Sequence, residues 1–253
     1  MIEESRANEN FSLVSFLATE EQNLLTSTIN LRDEFDSFWQ LDQVFRDVLP
    51  HLGGNEVSRF ICQMMIFVHY HLYFSTTTYL RGHKSEAYSS ARVAIDAAFH
   101  AYRFIKEPTS VSEYLASHKS FKRAKQYIEE QLKNDPNSFP LAKTLVGVHQ
   151  FCSKYASHAD VAVFNDRVKI NKETGELQVS YFQLGTSARE IGFHFVALQR
   201  IFVHSLRIFR EFVKTLPNVN AAEWQEKLRE VDKRTLQLGK ELSPKKAEPT
   251  EMP

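Results

Sequence analysis

A chain of 253 residues that is 43% hydrophobic and 25% charged can bury a sizeable core, which excludes wholesale disorder. Lysine plus arginine and aspartate plus glutamate number 31 each, so there is no net field to draw nucleic acid or an anionic membrane, and such a partner needs a local patch. Eight glycines and eight prolines are too few to punctuate a many-stranded sandwich. The two cysteines, Cys62 and Cys152, have no framework spacing, and the opening Met1 to Arg6 does not read as a secretory signal, so a reducing, cytoplasmic setting is the expectation.

Residues 1–18 read as a loosely attached arm. Thr19 followed by Gln22 has the form of a capping box and predicts the start of a first helix. Its apolar residues Leu24, Leu31, Phe35, Phe38, Val44, Phe45 and Val48 recur at helical spacing until Pro50 and Gly53-Gly54 end it. Asn55 caps a second helix that runs through Tyr79. Between Phe60 and Leu80 that helix carries no Lys, Arg, Asp or Glu, and its length matches a bilayer core of ~30 Å. Its Gln63, His69, His71, Ser75 and three threonines fit a buried central helix better, so burial is expected and a membrane span is the alternative.

Gly82 marks the turn into a third helix, Ser85 to Lys106, closed by Pro108. Ser110 with Glu113 opens a fourth helix to about Lys133, and a fifth follows the 134–138 turn, from Phe139 to near Tyr155. Over 161–184 the pattern turns β-rich on both sides of Asn171 to Glu176, with Gly175 able to supply a positive φ, which predicts one β-hairpin. Ser187 with Glu190 opens the longest amphipathic helix, striped by Ile191, Phe195, Leu198, Phe202, Leu206, Phe209 and Val213 and stopped by Pro217. Asn220 with Glu223 caps the last helix, which carries Trp224, Leu228, Val231, Leu238 and Leu242. The expected fold is mainly α: a bundle of six or seven helices in one domain over 19–242, a β-hairpin inserted at 161–184, and a disordered tail at 243–253.

Two helix faces carry polar groups that chemistry can use. Arg92, Asp96, His100 and Arg103 share one face of the third helix, where an Asp can orient an imidazole and arginines can hold a phosphate or carboxylate. A solvated face with one favourable pair is the alternative. On the long helix Arg200, His204, Arg207 and Lys214 line up with Arg210 beside them, either as a ridge for nucleic-acid phosphates or as a solvated surface. His69 and His71 diverge by ~200° on a helix and cannot share an ion. His149, Cys152 and His158 fall one short of the usual four zinc ligands. No metal and no cofactor is therefore expected, and no phosphate loop, nucleophile elbow or His-Glu-x-x-His is present.

The Ala- and Arg-containing run from Ser90 to His100, the Tyr155-x-x-His158 loop and the closing pair of helices together resemble the HEPN-like superfamily of prokaryotic helical proteins. The resemblance implies a metal-independent ribonuclease or RNA-binding protein of a defence or stress system, with its site formed across a dimer. The superfamily's Arg-x4–6-His signature falls on Arg189 and His194, which implies that His194 is the acid–base group and Arg189 stabilises phosphate charge. A non-catalytic interaction protein that homodimerises through the long Phe-striped helix or the hairpin is the alternative from another class.

Overall fold

The structure, a computed structural model, describes residues 12–116, 120–135, 137, 140–156, 167–171, 174–185 and 187–243. Ten α-helices are described: α1 (Leu13–Asn30), α2 (Arg32–Arg46), α3 (Glu56–Leu80), α4 (Lys84–Lys106), α5 (Ser110–Ala116), α6 (Ser120–Asn134), α7 (Pro140–Ala156), α8 (Ala188–Ile208), α9 (Arg210–Val213) and α10 (Ala221–Leu242). A 3-10 turn at Leu49–His51 separates α2 from α3.

Three expected helix starts are formed as their caps predict. The Asn55, Ser187 and Asn220 side chains accept from the backbone N–H of Ser58, Glu190 and Glu223 at 2.9, 3.2 and 3.2 Å. The first helix differs. It starts at Leu13, capped by Ser12, while the Thr19 hydroxyl lies inside it and donates to the Ser15 carbonyl at 2.8 Å. It also breaks where no glycine or proline stands. Leu31 leaves helical geometry at φ −108°, ψ 52°, and its side chain is sealed in the core. Burial of one leucine, worth roughly 1.5–3 kcal/mol, outweighs continuity of the helix there.

At the centre, α4 lies against α3, α6, α7 and α8, and α8 lies against α2, α3, α4, α7 and α10. Ala91, Ala94, Ala97, Ala98 and Ala101 are buried on α4, so neighbouring backbones approach closely there. The apolar stripe is buried from Ile191 on α8 through Phe209 at its C-cap to Val213 on α9, where the one long helix expected is divided, and Phe195, Phe202 and Phe209 have no exposed surface. That stripe is the core of this chain, so it has no free face for a second copy. Buried hydrogen bonds tie the layers together: Trp224 Nε1 donates to the Val44 carbonyl at 2.8 Å, Tyr79 to Ile191 at 3.0 Å and Gln199 to Glu34 at 2.9 Å. Gly192 interrupts the side-chain row of α8 for a spatial reason, since a Cβ there would stand 2.8 Å from Glu34 Oε1.

Among the described residues, no helix is long and apolar enough to cross a membrane. The uncharged stretch of α3 from Phe60 to Leu80 is instead covered along one side, with Met65, Val68, Leu72 and Tyr79 inaccessible. The β-hairpin expected over 161–184 is not seen at that extent. Val168–Ile170 and Leu177–Val179 pair antiparallel over three rungs, and 180–185 form no strand. Exposed Ile170 and Leu177 give so short a ladder little to bury. The following residues close the α3–α4 turn. Gln183 donates its N–H to the Gly82 carbonyl at 2.6 Å and accepts from the Ser85 hydroxyl at 2.8 Å, while Phe182 stacks on Phe16 at 5.0 Å. Gly82 stands at φ +102° under Phe182, a conformation that L side chains avoid. Most of the expected arm and tail (1–11 and 244–253), hairpin residues 161–166, and His158 lie outside the described residues.

Candidate functional site

The four residues expected on the third helix face do not form one site. Arg103 is drawn to Glu107 at 3.1 Å and Glu113 at 2.8 Å and sits over the Tyr127 ring, so its charge is neutralised locally. His100 is buried beside the rings of Phe104 and Tyr114. Burial, with a smaller contribution from Arg103, pushes its pKa down to about 4 against the opposing pull of Asp96. Asp96 itself lies 3.0 Å from Nε2 of His149 on α7. Nε of Arg92 is buried with no hydrogen-bond partner, and its charge acts on Cys152. Burial pushes the Cys152 thiol up to about 12, with Arg92 pulling it down and Asp96 raising it, so it is a protonated thiol at neutral pH and no nucleophile.

Arg189 and His194 have separate partners. Arg189 donates to the carbonyls of Glu241, Leu242 and Ser243 at 2.8, 3.2 and 2.9 Å, satisfying the open C-terminal end of α10. His194 Nδ1 is 3.0 Å from the Tyr88 hydroxyl on α4, and its ring packs near Tyr79 and Phe193. A helix-end arginine and a cross-helix histidine result, each explained by packing.

The ridge on α8 divides between two depressions. Arg207 is ion-paired with Asp232 and, with Arg210 and Arg229, lines one of them. Arg200 and His204 enter a cleft of about 420 Å³ between α7, α8 and α10. Its walls are apolar: Val148 and Phe151 from α7, Phe193, Val196 and Ile201 from α8, and Leu236 from α10. Lys240 and Ser243 stand at the α10 side. Nη1 of Arg200 is buried and makes no hydrogen bond. Burial, then Arg207 and Arg200, push the His204 pKa down to about 4, so its imidazole is neutral at pH 7. Arg207 Nη1 approaches His204 Nδ1 at 3.5 Å and can only donate, which leaves the His204 proton on Nε2. The cleft therefore offers one guanidinium, one neutral imidazole donor and one ammonium against apolar walls, with no carboxylate among its lining residues. Arg200 and His204 were visible as an i, i+4 pair in the sequence. Phe151, Leu236 and Lys240 were not, because α7 and α10 bring them to α8 from 49, 36 and 40 residues away, counted to Arg200.

A polar cluster that sequence reasoning missed lies between α2 and α3. Asp42, only 1% exposed, accepts from Arg46 Nε at 2.6 Å, His69 Nε2 at 2.7 Å and the Tyr73 hydroxyl at 2.7 Å. Burial alone would raise its pKa, but hydrogen bonds from Tyr73, His69 and Arg46 outweigh it and hold the carboxyl below its ordinary range. Both carboxylate oxygens are engaged by side chains of α2 and α3, so the cluster is structural. His71, two residues from His69, faces the other way to Ser90 at 2.8 Å, as the helical angle requires. No group of metal-binding residues is present among the described residues. No protein-family model, no curated protein and no solved structure matches this chain.

Proposed function

We propose that this chain is a non-catalytic helical binding protein, and that its ligand is an apolar molecule with one anionic head, held in the cleft between α7, α8 and α10. The observation that carries this reading is Arg200: a charged side chain with a buried, unpartnered donor on the wall of an otherwise apolar cavity. An unmet buried donor costs on the order of 1–3 kcal/mol, and an entering carboxylate or phosphate would meet it. The cavity lies within the roughly 300–1,000 Å³ range of small-molecule sites, and apolar walls with a few placed polar groups are their usual composition. A hydrogen bond to a charged group is worth ~1.5–3 kcal/mol. Decanoate, titrated calorimetrically, should bind the wild type and bind Arg200→Met roughly 10- to 100-fold more weakly. Equal binding by the two proteins, or by decanoate and decanol, would defeat the assignment of Arg200 to an anionic head.

RNA is the competing ligand. What favours it is the depression next along α8, lined by Arg207, Arg210 and Arg229. Arg207 and Arg229 are already paired there with Asp232 and Glu226, which lowers what they can offer phosphate. Arg189 is likewise engaged by α10 carbonyls. Purified protein is expected to leave single-stranded RNA intact. Degradation that disappears in His194→Ala would restore the catalytic reading of Arg189 and His194.

A further inference from the structure

One face of α3 is open along the whole helix. At 100° per residue, Gln63, Ile66, Phe67, Tyr70 and Phe74 fall within an arc of about 100°, and all five are exposed. Ile66, Phe67, Tyr70 and Phe74 are 50, 42, 56 and 49% accessible, which is high for four adjoining large apolar side chains. They are already ordered against one another: Phe67 stacks on Tyr70 at 6.4 Å and Tyr70 on Phe74 at 6.1 Å. Glu56 and Arg59 prolong the same line toward the N-terminus, and Thr77 and Arg81 prolong it toward the C-terminus, all four exposed. Through Tyr70 the steps are 3, 4, 3, 4 and then 4, 3, 4, the near-heptad seam by which one helix packs on another. Among the described residues, none occupies it.

We propose that this face is a homodimer interface in which two α3 helices pack antiparallel across a two-fold axis. The charge pattern selects that occupant and that direction. From Phe60 to Leu80 no residue is ionisable except Cys62, His69, His71 and the tyrosines, so pairing this segment with its own copy desolvates no carboxylate, ammonium or guanidinium. A two-fold centred between Val68 and His69 sets Phe67 of one protomer against Tyr70 of the partner subunit, twice. The same operation brings Glu56 of each protomer to Arg81 of its partner, one ion pair at each end of a seam of about 37 Å for 25 residues. Within one chain neither Glu56 nor Arg81 makes an ion pair among the described residues. A parallel arrangement would instead set Glu56 against Glu56 and Arg81 against Arg81. The interface is independent of the cleft, which α3 does not line.

Sedimentation equilibrium of the full chain tests this. The wild type is expected to dimerise reversibly, and Tyr70→Glu to be monomeric at the same concentrations with unchanged helical circular dichroism, since its side chain lies outside the core. Glu56→Arg should weaken the dimer roughly fivefold or more by replacing two attractive pairs with two repulsive ones, and adding Arg81→Glu should restore it. Wild-type protein that stays monomeric up to ~100 µM, the weak end of specific association, overturns the proposal. So does a dimer that survives Tyr70→Glu, and a double charge swap that fails to rescue Glu56→Arg overturns the antiparallel register.

Discussion

Replacing Asp42 by alanine is expected to destabilise the protein by about 3 kcal/mol, which for a chain of this size lowers Tm by roughly 6–12 °C. The carboxylate is 1% exposed and accepts hydrogen bonds from three side chains, so its loss strands donors that water reaches unequally. Arg46, 56% exposed, re-solvates and adds little to the cost. His69 is 13% exposed and Tyr73 only partly so, and these two carry most of the penalty. Asp42→Asn keeps an acceptor for Tyr73 and His69 and should lose about half as much. The pH sign is fixed by the direction of the shift. A carboxyl held below its unfolded value contributes stability above the unfolded pKa of 3.8 and loses it as pH falls through the lower folded value. Thermal melts of both variants at pH 7 are the measurement, and an alanine variant within ~2 °C of wild type would show that the cluster is not holding α2 to α3.

Acidification from pH 6.5 toward pH 4 is expected to remove several kcal/mol of stability through His100 and His204. Both are buried, and burial, reinforced by nearby arginines, holds each near pKa 4 against 6.5 in the unfolded chain. Between those values the unfolded chain binds protons that the folded chain refuses, so stability is complete above pH 6.5 and drains away as pH falls to about 4. A lowering from 6.5 to about 4 corresponds to about 3 kcal/mol per histidine. His71, lowered by burial, acts in the same direction, whereas Glu34, raised by burial, gains stability as pH falls. Single variants separate these contributions: the unfolding free energy of His204→Gln from urea titrations should fall with acidity by about 3 kcal/mol less than that of the wild type. A variant whose pH curve parallels the wild type would refute the assignment to His204.

Much of the helical architecture was readable from local pattern. The caps at Asn55, Ser187 and Asn220 and the Phe stripe of α8 each need only a few neighbouring residues to specify them, and each is formed as read. The break at Leu31 was not readable, since no breaker stands there and only the core decides it. The β-rich segment misled for a related reason. Alternation around 168–179 favours extended chain, but Gln183 and Phe182 find better partners at the α3–α4 turn than a second strand could give them. The polar faces were legible as positions but not as sites, because partners for Asp96, Arg103 and Arg207 come from α7, α5 and α10.

By itself, the sequence determined that this chain is helical, where most helices begin, and which side of α8 is apolar, because helix formation and amphipathic burial are set by side chains three and four apart. Only the tertiary structure decided which charges are spent and which are left over. Arg189 closes a helix end, Arg103 and Arg207 are matched by carboxylates, and Arg200 alone among these cations keeps a buried donor unmet in an apolar cleft. Charge matching depends on groups far apart along the chain reaching within ~4 Å of each other, and no local spacing encodes that distance.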